Sequence, residues 1–190
     1  MGLTRRAFLR ELARGNRSFP RAQLSGWDLS GANLSGTDLS QGELRETVLR
    51  DADLSHAVLV AADLAGADLT GANLTGAVLT GAVLAAADLT DADLTGARLV
   101  GAQLPGARLY VTDLTGAELV RCEMSEVYGV EATFDQADLT GAVLRGADLA
   151  DARFVGASLV GTDLQGANLR GALLTGVNLL GADMTGATPG

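Results

Sequence analysis

Residues 67–81 read ADLTGANLTGAVLTG, the same five-residue phrase three times over. The phrase is not local. Stepping by five from Phe19 to Met184 gives 34 positions, and 33 of them are Leu, Phe or Met; the exception is Gly129. No insertion or deletion breaks the phase. In the set running from Ala22 to Ala187, Ala fills 25 of 34 positions, and from Gly26 to Gly186, Gly fills 20 of 33. A strict period of five over nearly the whole chain rules out most ways of building a core.

A helix advances about 500° in five residues, so successive leucines would step around the axis and share no face. A straight strand would send them to alternate sides. Each unit taken alone is simpler. Ala and Leu, two apart in a short extended piece, point the same way while the residue between them points out. The next two residues, often Thr-Gly or Ser-Gly, turn the chain, and Gly suits such a corner because it lacks a Cβ. If each corner turns about a right angle, four units close a square of 20 residues. Successive squares then stack like parallel strands about 4.8 Å apart. Leucines fill the axis, and the second inward position must be small because corners crowd it.

Composition agrees. Hydrophobic residues make up 47% of the chain but aromatic ones only 4%, so the apolar mass is aliphatic. All 14 basic residues are Arg, which points to a GC-rich, bacterial coding sequence. Residues 1–21 hold six Arg and one Glu, whereas residues 22–190 hold eight Arg and 22 acids. A body this acidic repels nucleic acid and suits basic partners. A single cysteine excludes a disulfide framework or a cysteine metal cluster. No apolar run is long enough to span a membrane. TRRAFLR at 4–10 imitates a twin-arginine export signal, but polar ELARGNRSFPRAQL follows where a hydrophobic stretch is required. The expectation is a cytoplasmic protein that opens with a short helix: Thr4 as N-cap, Phe8, Leu9, Leu12 and Ala13 on one face, and Gly15 as the stop.

Catalytic chemistry is not legible. His56, the only histidine, falls on a corner and reads as a solvated turn residue; Cys122 replaces an inward Ala and reads as a buried, inert thiol. The many Asp residues occupy the outward middle position in rows, where they can bond nearby backbone, and a smooth rod offers no cleft to set two carboxylates apart in pKa. GANLTGAVLTG lacks the Lys and following helix of a phosphate loop. The expectation is a non-enzyme with no catalytic, cofactor or metal site.

The units ADLAG (62–66), ANLTG (72–76) and ADLTG (137–141) resemble the pentapeptide-repeat family, whose pattern is A-(D/N)-L-x-x. The resemblance covers about residues 22–187. It implies an all-β fold, a right-handed quadrilateral parallel β-helix, here of about eight coils with the N-terminal helix as a cap. The expected division is 1–18 for capping helix and linker, 19–187 for the β-helix and 188–190 for a tail. Trp27, where Ala belongs, is expected to seal the first coil against Phe8 and Leu12. EMSEVYGVEATF (123–134), which loses its Leu at Gly129 and gains Tyr128, predicts a distorted corner or bulge.

Function is then expected from surfaces. Calling the sides centred on Leu24, Leu29, Leu34 and Leu39 faces 1 to 4, the acids number seven, eight, four and three. Faces 1 and 2 form a candidate acidic surface, with Asp68, Asp88, Asp91, Asp148 and Asp151 on face 2. Face 4 carries a candidate apolar stripe: Val60, Val100, Val120, Val160 and Leu180 follow its leucines, and Val58 and Val78 extend it. The leading expectation is a scaffold that binds a protein partner. The alternative that the resemblance implies is a DNA mimic that occupies DNA gyrase and protects it from quinolones or a self-toxin. Against that stand the regularity of the core and an ending, MTGATPG, without the C-terminal dimerisation helix many such members carry. Copies of the chain are expected to meet end to end at the C-terminus or side-on through face 4.

Overall fold

The computed structural model describes residues 3–189. One helix, α1 (Arg5–Ala13), precedes the coils. The Thr4 hydroxyl accepts the Ala7 N–H at 3.3 Å, and the helix ends where Gly15, at φ +88°, donates to the Leu12 carbonyl. Its buried face is Phe8 and Leu12, with Leu9 half-buried; Ala13 is exposed. Phe8 packs edge-on against Phe19 (centroids 4.6 Å apart) and Trp27 (6.0 Å), both in the first coil. Arg5 adds a hydrogen bond from its Nε to the Asp28 carbonyl.

From Ser18 to Asn168 every fifth residue forms a parallel bridge with the residue twenty further on, so that the ladder ends at Thr188. One bridged residue per side is all a four-cornered coil permits, so no longer strand develops. The Asp68 unit shows how five residues satisfy five N–H groups. Ala67 closes the turn onto the Leu64 carbonyl, Asp68 donates to Thr47 in the preceding coil, and Leu69 and Gly71 donate to Asp88 and Thr90 in the following one. The N–H of Thr70 has no backbone partner, and the Asp68 carboxylate accepts it at 3.2 Å. Asn73, Asp113, Asp138 and others do the same two residues on. This is why the repeat prefers Asp or Asn before its Leu. At Pro20 and Pro105 the middle residue is Ser18 or Gln103 instead, and proline has no N–H to satisfy.

Every corner from Arg21 to Gly186 has a positive φ of 53–73° at the last residue of the unit, the geometry of a type II turn. Fourteen of these residues are not Gly, and Val111 is the only β-branched one. The leucines from Leu24 to Leu169 line the core, almost wholly shielded from solvent. Phe134 and Phe154 stack face to face at 4.8 Å, one coil apart.

The distortion expected at Gly129 is absent. Its N–H donates to Asp148 at 2.7 Å and its carbonyl accepts Ala132, as a Leu there would. A Cβ built on Gly129 would meet the Leu149 side chain at 3.0 Å, so the next coil has filled the space. The strain shows instead at Val127, whose bulk at a small inward position lengthens its turn bond to 3.4 Å.

Candidate interaction surface

Outward side chains follow two offsets. Residues twenty apart sit directly above one another. Residues eighteen apart, the one after a Leu and the middle one of the following coil, meet on a diagonal. The diagonal pairs Arg45 with Asp63, Arg50 with Asp68, Arg145 with Asp163 and Asp135 with Arg153. Vertical pairs are Arg108 with Asp88 and Arg98 with Glu118. These exposed pairs contribute little stability, but they decide which acids remain uncompensated.

Asp68 and Asp88 are therefore partly neutralised. Burial pushes the Asp68 carboxyl up, and hydrogen bonds from Thr70 and Arg50 outweigh it and hold it below the usual range. Asp91, Asp148 and Asp151 have no Arg within ion-pair distance among the described residues, and neither has Glu131. Asp148 also accepts a hydrogen bond from Asn168 at 2.8 Å. Asp91 and Asp151 stand on corners at φ 59° and 58°.

On face 4, Val58, Val60, Val78, Val100, Val120 and Val160 are half-buried by their column neighbours, while Leu180 is 74% exposed. Near the C-terminal end Leu174, Leu179 and Met184 are half-buried, since no described residue stacks on the last coil. His56 is exposed on its corner at φ 55°. The Cys122 thiol is buried, bonds the Leu99 carbonyl at 2.9 Å, and is pushed up to about 12 by burial. Among the described residues no group of His, Cys, Asp or Glu could hold a metal ion, and no helix is long and apolar enough to cross a membrane.

The residues that sequence reasoning missed are Tyr110 and Val111. Tyr110 and Tyr128 stack on the eighteen-residue diagonal, centroids 6.4 Å apart and planes 20° apart, in the middle of face 2. Tyr110, Val111 and Tyr128 are 37%, 54% and 46% exposed. The signal was present as two tyrosines eighteen apart, but it becomes visible only once the diagonal is known.

The sequence profile for pentapeptide repeats (8 copies) matches residues 28–64, 57–96, 92–128, 130–166 and 152–188, almost the entire ladder. The chain belongs to the pentapeptide-repeat family. Members of the family fold as right-handed quadrilateral β-helices and are in general non-enzymatic structural or interaction proteins. This pentapeptide-repeat protein is similar to HetL of the cyanobacterium Nostoc sp. strain PCC 7120, a protein involved in the regulation of heterocyst differentiation. They share 34% identity over all of this chain and 97% of HetL, with a TM-score of 0.64. A trypsin-treated form of QnrB1, a plasmid-mediated fluoroquinolone resistance protein, superposes with a TM-score of 0.73 over 87% of this chain and 84% of that one; at 23% identity the likeness is one of fold. A pentapeptide repeat protein of the Arabidopsis thaliana thylakoid lumen is 38% identical over 51% of this chain and 68% of its own, with a TM-score of 0.50. Compared with curated proteins, the chain has no match.

Proposed function

We propose that this pentapeptide-repeat protein is a non-enzymatic, cytoplasmic scaffold that acts by binding a basic protein partner. The helix Arg5–Ala13 caps the first coil, and the repeats behind it, Ser18 to Thr188, form the working rod of about eight coils. The observation that carries the reading is a group of face 2 acids without an arginine partner, among them Asp51, Asp91, Glu131, Asp148 and Asp151, held by a hydrogen-bonded frame. Fixed charges of one sign on a rigid surface steer and orient a basic partner. Similarity to HetL along the whole chain supports a regulatory role of this kind. The test is cross-linking in cells of the full chain, followed by binding of the recovered partner to the chain with Asp91, Asp148 and Asp151 changed to Asn. Weaker binding, with a smaller salt dependence, is expected. Unchanged affinity would show that these charges serve only to solvate the rod.

A second reading is a DNA mimic that occupies gyrase, favoured by acids concentrated on two adjacent faces of a rod. A supercoiling assay with DNA gyrase, with and without ciprofloxacin, decides it: neither inhibition nor protection at micromolar protein removes this reading.

A further inference from the structure

Face 2 contains a patch that the repeat does not explain. Over four coils its outward positions read Asp88, Thr90, Asp91; Arg108, Tyr110, Val111; Tyr128, Val130, Glu131; and Asp148, Ala150, Asp151. The centre is aromatic and aliphatic, and the ends are acidic. Two stacked tyrosines, each more than a third exposed, stand beside the most exposed valine of the rod.

Val111 is also in the wrong place for stability. It occupies a left-handed corner at φ 56°, where a β-branched side chain is strained and where 20 of the other corners use Gly. Its backbone bond to Val130, at 3.2 Å, is the longest of its kind in the ladder. Exposed apolar surface and local strain at one spot mark a site kept for recognition.

We propose that Tyr110, Val111 and Tyr128 form the contact centre for an Arg- or Lys-bearing segment of a partner protein, whose cations reach the surrounding carboxylates. The proposal rests on the scaffold reading and gives it a location. Tyrosine offers rigid contact area and a π face that attracts a cation. Asp91, Glu131, Asp148 and Asp151 supply uncompensated negative charge around it, while Arg108 is engaged by Asp88 at 3.5 Å. A second copy of this face would bring the same acids against themselves, which argues against self-association.

The probe is a set of random short peptides displayed on phage and panned against the full chain, with the leading peptide then synthesised for fluorescence titration. Basic peptides should be enriched, and Tyr110→Ser with Tyr128→Ser should weaken binding about 30-fold. Val111→Gly separates recognition from structure: it should weaken binding about tenfold while the melting temperature does not fall, because Gly relieves the corner. If basic peptides bind both variants as they bind the wild type, the patch is wrong and the acidic scaffold stands. If the enriched peptides are not basic, the stated occupant is wrong. A dimer dissolved by the tyrosine changes would make a second copy the occupant. Enrichment of no peptide at all would overturn the patch as a site for such a segment, while the scaffold reading is decided separately by the cross-linked partner.

Discussion

The Thr112 hydroxyl donates to the carbonyl of Leu89, one coil earlier, at 2.8 Å. Thr47 and Thr162 make the same bond to Leu24 and Leu139, and Cys122 makes it through sulfur. All four sit at the small inward position and reach the residue 23 back. For Thr37 that residue is Arg14, which belongs to the end of α1 and not to a coil. Its Oγ1 is buried without a hydrogen-bond partner among the described residues. Thr112→Val should cost about 1 kcal/mol, and Thr37→Val should stabilise by about 1–3 kcal/mol, since an unsatisfied hydroxyl leaves the core. Denaturant melts of the two variants check this; equal effects would contradict it.

The Asp113 carboxylate accepts the Thr115 N–H at 2.9 Å. Asp113→Asn keeps an acceptor and should leave stability within about 0.5 kcal/mol, whereas Asp113→Ala orphans the N–H and should cost about 1 kcal/mol. Hydrogen exchange at Thr115 should quicken only in the Ala variant.

These bonds carry a pH dependence. Hydrogen bonds from Thr185 and Gln165 hold the Asp183 carboxyl down at about 2, and bonds from Ser40 hold Asp38 below its ordinary value of 3.8. At Asp93 burial pushes the other way, but bonds from Thr95 and Thr75 prevail. A carboxylate depressed in the folded state contributes stability above its unfolded value and loses it as pH falls through the folded one. The melting temperature should therefore be flat near neutrality and fall between about pH 4 and pH 2. A fall confined to alkaline pH would contradict these bonds.

Buried and pushed up to about 12, the Cys122 thiol should resist iodoacetamide in the native protein and react once the chain is denatured. Ready labelling of the native form would place it elsewhere.

Val60, Val100 and Val120 changed together to Thr preserve shape and strand preference on face 4. If that stripe joins two copies, light scattering should show the complex dissociating; an unaltered oligomeric state would leave the stripe as stacked sheet.

The five-residue phase made the coil readable from sequence, because only a four-cornered coil keeps Ala and Leu inside at every step. The helical start was readable from Thr4 and Gly15. The loss of the central Leu at Gly129 predicted a distorted corner or bulge that does not form, because the Leu149 side chain of the next coil occupies the space. Neutralisation of Asp88 by Arg108 depends on the residue stacked directly above it. That of Asp68 by Arg50 was hidden for the same reason as the Tyr110 stack, because both depend on which residue of the next coil lies diagonally across. That offset comes from stacking, which no single unit reveals.

The unbroken register has a consequence for how such a chain can change in length. Removing one unit of five between Val111 and Asp148 would preserve the phase of corners and inward residues, yet rotate everything downstream by a quarter turn. Asp148 and Asp151 would leave the side that carries Tyr110, and the patch would be split between two walls. Removing twenty shortens the rod by one storey and leaves each wall its own residues. The core tolerates steps of five; a surface that recognises something tolerates only steps of twenty.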